Sequence, residues 1–211
     1  PRIKETLKST DTIMLDGMRS NEEYEYLKKI FPNLVVLSIA TRADIRYARL
    51  SKRSIRPLTV EESKARDTAE IENLNVTGPI EHADFTVRNE GTIGEFQKQL
   101  EYFEKIIAMQ EGGRALSAIL TELLAFSKPG ISLLDIETHA MKRIREAGMK
   151  PSFPSVDNYQ WATCLCVNEV IVHGIPTPYT LKTGDLLTID IGLIHKGYHV
   201  DTAWSKYIAG K

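Results

Sequence analysis

Two aspartates set inside apolar, β-rich runs constrain this chain more than any other feature. Asp190 lies in the run 186–194 and Asp201 in the run 198–204. An ionised carboxylate in such a run is costly unless a cation or hydrogen bonds compensate it. Asp190 stands between Ile189 and Ile191, which share the opposite face of a strand. Between the runs, His195-Lys196-Gly197 reads as a hairpin turn. Folding about Lys196 sets Asp190 opposite or nearly opposite Asp201. Facing side chains of an antiparallel pair have Cβ atoms about 4.5–5.5 Å apart. Carboxylates that close repel each other unless they share a proton or hold metal, and a pair of divalent ions about 3.5–4 Å apart fits between them. The bland alternative is a surface hairpin with two solvated aspartates, and the flanking isoleucines weigh against it.

The neighbouring residues carry a resemblance. They are Met109-Gln-Glu-Gly-Gly-Arg114, Lys128-Pro-Gly-Ile-Ser132, Val167-Asn-Glu-Val170, His173-Gly-Ile-Pro176, Lys182-Thr-Gly-Asp185, Thr188-Ile-Asp190 and Gly197-Tyr-His-Val-Asp-Thr202. In this order and spacing, residues 104–211 resemble the N-terminal half of a type I methionine aminopeptidase. The resemblance implies the first half of a pita-bread (creatinase/aminopeptidase) fold and two divalent metal ions, cobalt, manganese, iron or zinc. It implies metal-ligand roles for Asp190 and Asp201, with Asp201 bridging. It implies a catalytic His173 that hydrogen-bonds the scissile peptide, and a methionine pocket near Tyr159 and Cys164. The family's other ligands, one histidine and two glutamates, lie in the second half of its domain. The chain is therefore expected to be a piece of a longer protein, inactive by itself. The pocket loop departs from the family's glycine- and tyrosine-rich pattern, with Val156 where a second tyrosine is expected, which softens the expectation of methionine selectivity.

Ahead of this lies alternating strand and helix, the pattern of a doubly wound α/β domain. A strand is expected at 12–15. Ser20-Asn-Glu-Glu23 opens a helix to Ile30. The apolar run 34–40 reads as a buried parallel strand, followed by a basic helix over 42–52. Thr59-Val-Glu-Glu62 opens another helix, 85–87 is a short strand, and Thr92-Ile-Gly-Glu95 caps the next helix. Residues 1–103 resemble the C-terminal half of a P-loop kinase of the dephospho-CoA kinase or adenylate kinase type. The resemblance rests on Leu15-Asp-Gly-Met-Arg19, the arginines around 46–53, Ala65-Arg-Asp67 and 83–92. It makes Arg49, Arg53 and Arg66 candidate phosphate ligands, whereas the ordinary alternative for such residues is a solvated helix face. No G-x-x-x-x-G-K-[ST] occurs in the chain, so the backbone cradle for phosphates is absent. The expected domains are 1–103 and 104–211, α/β followed by α+β.

A net charge of −1 gives no bulk electrostatic case for nucleic acid or an acidic membrane. No apolar run approaches the ~18 residues of a membrane helix. Cys164 and Cys166 are expected to point to opposite faces of a strand and to remain thiols in a reducing, cytoplasmic compartment. His195 is expected to be exposed, and His199 to face away from the aspartates. The expected partner is the N-terminal methionine of nascent polypeptides, met at the ribosome. Two other readings stand beside this one. One is a nucleotide or dephospho-CoA-type kinase with an appended module. The other is a metal-free pita-bread protein that binds peptides.

Overall fold

The computed structural model describes residues 13–210. The chain divides into two compact units, Pro1–Glu101 and Tyr102–Lys211.

In the first unit, helix α1 (Asn21–Ile30) starts where the Ser20 hydroxyl accepts the Glu23 N–H at 3.1 Å, and ends in Lys28 and Lys29. These charges suit the helix dipole. Strand β1 (Leu37–Ala40) pairs in parallel with β2 (Phe85–Arg88). The expected strand from residue 34 begins three residues later. The Leu34 carbonyl accepts the Lys28 ammonium at 2.8 Å, and the Val36 N–H donates to Asp84 at 2.8 Å. The ladder to β2 reaches this segment at the Val36 carbonyl, which accepts the Phe85 N–H at 3.2 Å, while side chains satisfy the Leu34 carbonyl and the Val36 N–H. No strand forms over 13–15, where Met14 is almost fully exposed; Thr12 lies outside the described residues.

Helix α2 (Ala43–Ser51) meets α3 (Val60–Leu74) through Arg46, which grips Asp67 with two bonds of 2.7 and 2.6 Å. The Tyr47 hydroxyl donates to the same carboxylate at 2.6 Å. Thr59 and Glu62 form the reciprocal capping box of α3. Short α4 (Thr77–Glu81) follows. Among the described residues the parallel sheet has these two strands of four residues each.

Helix α5 (Ile93–Phe126) is continuous over 34 residues, opened by mutual Thr92–Glu95 bonds. Its residues from Ala108 onward bury Gly112, Leu116, Ile119, Leu120 and Leu123, a stripe at helical spacing. Helix α6 (Leu133–Glu146) starts in the Ser132–Asp135 capping box and buries Leu133, Ile136, Ala140 and Ile144. Both pack on one face of an antiparallel sheet. Strand β5 (Leu186–His195) lies at its centre, with β6 (Tyr198–Tyr207) on one edge and β3 (Lys150–Pro151) and β4 (Thr163–Val167) on the other. Leu187, Ile189, Ile191 and Leu193 face the helices and are wholly buried. The Lys206 ammonium donates to the Leu124 and Ser127 carbonyls at 2.6 and 2.9 Å, closing the carboxyl end of α5. No helix of the described residues is long and apolar enough to cross a membrane.

Candidate metal centre

The site begins with the turn between β5 and β6. Lys196 and Gly197 both have positive φ, +49° and +86°, as a two-residue hairpin turn that matches strand twist requires. His195 pairs with Tyr198, so Asp190 faces Ala203 and Asp201 faces Gly192. The aspartates are diagonal neighbours on one face, the side away from the helices. Their carboxyls come within hydrogen-bonding reach of each other. Burial first, and the Asp201 charge next, push Asp190 up to about 6, while nearby His173 acts in the opposite direction. No Lys or Arg among the described residues pairs with either aspartate. Two facing carboxylates without a cationic partner form an oxygen-donor set that suits a hard or borderline divalent cation. Their chemistry fits such an ion, but their number does not complete its shell. Among the described residues no group of three or more His, Cys, Asp or Glu side chains is arranged to hold a metal ion.

Strand β4 brings the third side of the site. Cys164 lies directly across from Asp190 and so shares its face. Burial raises the Cys164 thiol, with Asp190 adding to the shift; the Tyr159 hydroxyl, 3.2 Å from the sulfur, opposes it. That hydroxyl donates to the Thr163 carbonyl at 2.7 Å, and burial pushes Tyr159 itself up. Cys166 is on the same face as Cys164, not the opposite one, because strand residues two apart point the same way. Both remain thiols. The Cys166 sulfur accepts the Gly174 N–H at 3.4 Å, and the Leu165 N–H donates to the Gly174 carbonyl at 2.7 Å. A Cβ on Gly174 would stand 2.2 Å from the Leu165 carbonyl oxygen, so only glycine fits. Immediately before it, exposed His173 adopts a φ of +55°, a costly conformation for a side-chain-bearing residue.

Two histidines stand otherwise than expected. His199 shares the face of Asp201, two residues along β6, and its Nδ1 is 2.6 Å from the Ser152 hydroxyl. His195 is partly buried, not exposed, with Nε2 2.9 Å from Glu111; the Lys196 ammonium donates to the same carboxylate at 2.7 Å. The sequence reading also missed Glu137. This buried carboxylate of α6 accepts the Ala162 and Thr163 N–H groups at 2.7 and 3.0 Å and the Thr163 hydroxyl at 2.5 Å, which fixes the entry of β4. The signal was present, since Glu137 falls within the apolar stripe of Leu133, Ile136 and Ala140. Ser152 and Glu111 gave none.

In the first unit Arg49 donates to the Asn89 carbonyl at 2.7 Å, Arg66 to Glu70 at 3.0 Å, and Arg53 is exposed. Two of the three candidate phosphate ligands are thus engaged within the unit.

Residues 107–210 match the model of the family described as Metallopeptidase family M24. Methionine aminopeptidase 1 of Bacillus subtilis (strain 168) is 41% identical over 97 residues, 46% of this chain and 39% of the relative. Methionine aminopeptidase of Helicobacter pylori (strain ATCC 700392 / 26695) is 33% identical over 100 residues, 47% of this chain and 40% of the relative. The crystal structure of methionine aminopeptidase from Thermotoga maritima is similar at 31% identity and a TM-score of 0.49, over 50% of this chain and 43% of that one. The chain spans about two fifths of the length of the curated relatives it matches. The family match lies in the second unit, and none of these likenesses supports a kinase in residues 1–103.

Proposed function

We infer, residues 107–210 being related to the methionine aminopeptidases of metallopeptidase family M24 and carrying part of its pita-bread fold, that the parent protein removes the N-terminal methionine of newly made polypeptides. One observation supports this above the rest. Asp190, Asp201 and Cys164 share one sheet face inside the matched segment, with the Tyr159 hydroxyl 3.2 Å from the Cys164 sulfur and the His173 charge acting on Asp190. In this reading Asp190 and Asp201 hold divalent ions, cobalt, manganese, iron or zinc, with further ligands from the rest of the domain. Bound ions of this kind supply an acidified water and a polarised carbonyl. His173 donates a hydrogen bond to the scissile peptide oxygen as charge develops there. Tyr159 and Cys164 line the pocket for the first side chain. The compartment is the cytoplasm, where nascent chains are met.

The test is Asp201→Asn in the parent protein, assayed for methionine release from a methionyl peptide. Loss of a carboxylate oxygen that would hold a metal ion should lower kcat/KM by about a hundredfold or more, at or beyond the upper end of the roughly 10–100-fold cost of removing an outer-shell partner. Undiminished release by that variant would refute the assignment. The 211-residue chain itself should bind Mn²⁺ weakly by calorimetry, because its described residues offer two carboxylate donors at the site.

A further inference from the structure

The segment 152–159 leaves β3 and leads toward β4, both on the side of β5 opposite β6, and meets the site face at Gly192. At its start Ser152 is buried, and its N–H donates to the Gly192 carbonyl at 2.9 Å. The Phe153 ring occupies the space above Gly192, where a Cβ would stand 2.8 Å from the ring. Gly192 is the residue directly across from Asp201. At its far end the segment is held by the Tyr159 hydroxyl on Thr163 and Cys164, and the Phe153 and Tyr159 rings meet edge to face at 6.2 Å. The segment thus rests on β5 and is tied to β4. Its tie to β6 is the 2.6 Å contact between Ser152 Oγ and His199 Nδ1. A hydroxyl can donate or accept, so this contact survives either histidine tautomer.

We propose that His199 is a positioning residue: by holding Ser152 it fastens segment 152–159 across the hairpin, fixes how far Tyr159 and Cys164 stand from the aspartate pair, and so sets which N-terminal side chain the site admits. The selectivity clause rests on the peptidase reading; the fastening does not. The geometry carries it. Asp201 is on the edge strand, two residues from His199, while the pocket residues belong to β4 and the segment before it. Without this tie, the hairpin edge and the pocket wall are joined only through β5. A small opening between them changes the room left for a substrate side chain more than it changes the carboxylates.

Amide hydrogen exchange on the 211-residue chain tests the fastening. The Ser155, Val156 and Tyr159 N–H groups bond to Ser152, Phe153 and Val156 carbonyls within the segment. His199→Ala and Ser152→Ala should each speed their exchange roughly three- to tenfold, the effect of losing one side-chain hydrogen bond. The double variant should go no further, and the β5 amides should be unchanged. His199→Asn, whose carboxamide reaches the place of Nδ1, should restore protection. Unaltered exchange in both alanine variants overturns the fastening, whatever the activity. In the parent protein, His199→Ala should raise KM for a methionyl peptide more than it lowers kcat, and narrow the preference over a leucyl peptide. Faster exchange with an unchanged preference overturns the selectivity clause. Absence of any methionine release by the unmodified parent overturns that clause together with the peptidase reading, and leaves exchange to decide the fastening.

Discussion

Asp185 shows how a single residue fixes the loop that carries His173. Its buried carboxylate accepts the Lys182 N–H at 2.8 Å, the Asn168 amide at 3.0 Å and the Tyr179 hydroxyl at 3.0 Å. Asn168 in turn accepts the Leu186 N–H at 3.0 Å, so its side chain extends the ladder beyond β4. These bonds, the Lys182 N–H foremost, hold the Asp185 carboxyl below its ordinary range. A carboxylate depressed in the folded state stabilises the fold above its unfolded pKa of about 3.9, and that contribution is lost as pH falls through the lower folded value. Asp185→Asn should therefore cost about 1–3 kcal/mol at pH 7, since hydrogen bonds to a charged acceptor weaken and one loses its geometry. The gap between variant and unmodified chain should close below about pH 4. Urea midpoints across that range check this; a gap that stays constant to pH 2 would sink it. The sequence showed this residue only as part of a motif, because its partners come from three separate turns.

At the scale of elements, local signals were legible and one-residue offsets were not. The caps at Ser20, Thr59 and Ser132 each involve residues three apart, so the sequence displays them directly. Strand β1 is shorter than its apolar run because Lys28 and Asp84, distant in sequence, satisfy the first part of that run. The hairpin was legible as an element, but its register was not. Centring it on Lys196 or on the Lys196–Gly197 bond differs by one residue of pairing, and such a slip moves side chains to the other face. The observed pairing of His195 with Tyr198 puts His199 beside Asp201, where the looser reading turned it away. The glycines of the 109–114 motif have a comparable meaning. A Cβ on Gly112 would stand 3.2 Å from both His195 Cβ and Val200 Cγ2, so α5 approaches the hairpin closely there. In Gly112→Ala, the gain in helix propensity of about 1 kcal/mol offsets that tight contact, and stability should change little. Gly112→Val adds branches with no room and should destabilise by about 1–3 kcal/mol. Thermal melts of the three chains should rank glycine and alanine together above valine, and a valine chain as stable as the others would contradict the packing.

For the whole molecule, the two units differ in how completely their cores are closed. The second buries an aliphatic layer of two helices on a four-stranded sheet, with Leu187, Ile189, Ile191 and Leu193 of β5 sealed on that side. The first has a parallel sheet of two strands among its described residues, and Ile39 of β1 is 56% exposed. Parallel sheets ordinarily have both faces covered, and among the described residues the first unit leaves its sheet the more open of the two. Sequence alternation suggested its α/β character but not how few strands would pair, since pairing depends on partners and not on the strand itself. Its chemistry is correspondingly limited. A phosphate chain needs several backbone N–H groups converging on it, usually from a glycine-rich loop leading into a helix. No such loop sequence occurs in the chain. Arg46 is committed to Asp67, Arg49 to Asn89 and Arg66 to Glu70, so a nucleotide would have to displace made bonds to gain new ones. Titration of the 211-residue chain with Mg-ATP should therefore give no saturable heat. Asp67→Asn, which weakens the hold on Arg46, should leave that result unchanged, because one released guanidinium is a point of charge without a cradle. Saturable binding by the unmodified chain would mean that the described arginines rearrange around phosphate, and would return residues 1–103 to the nucleotide-binding class.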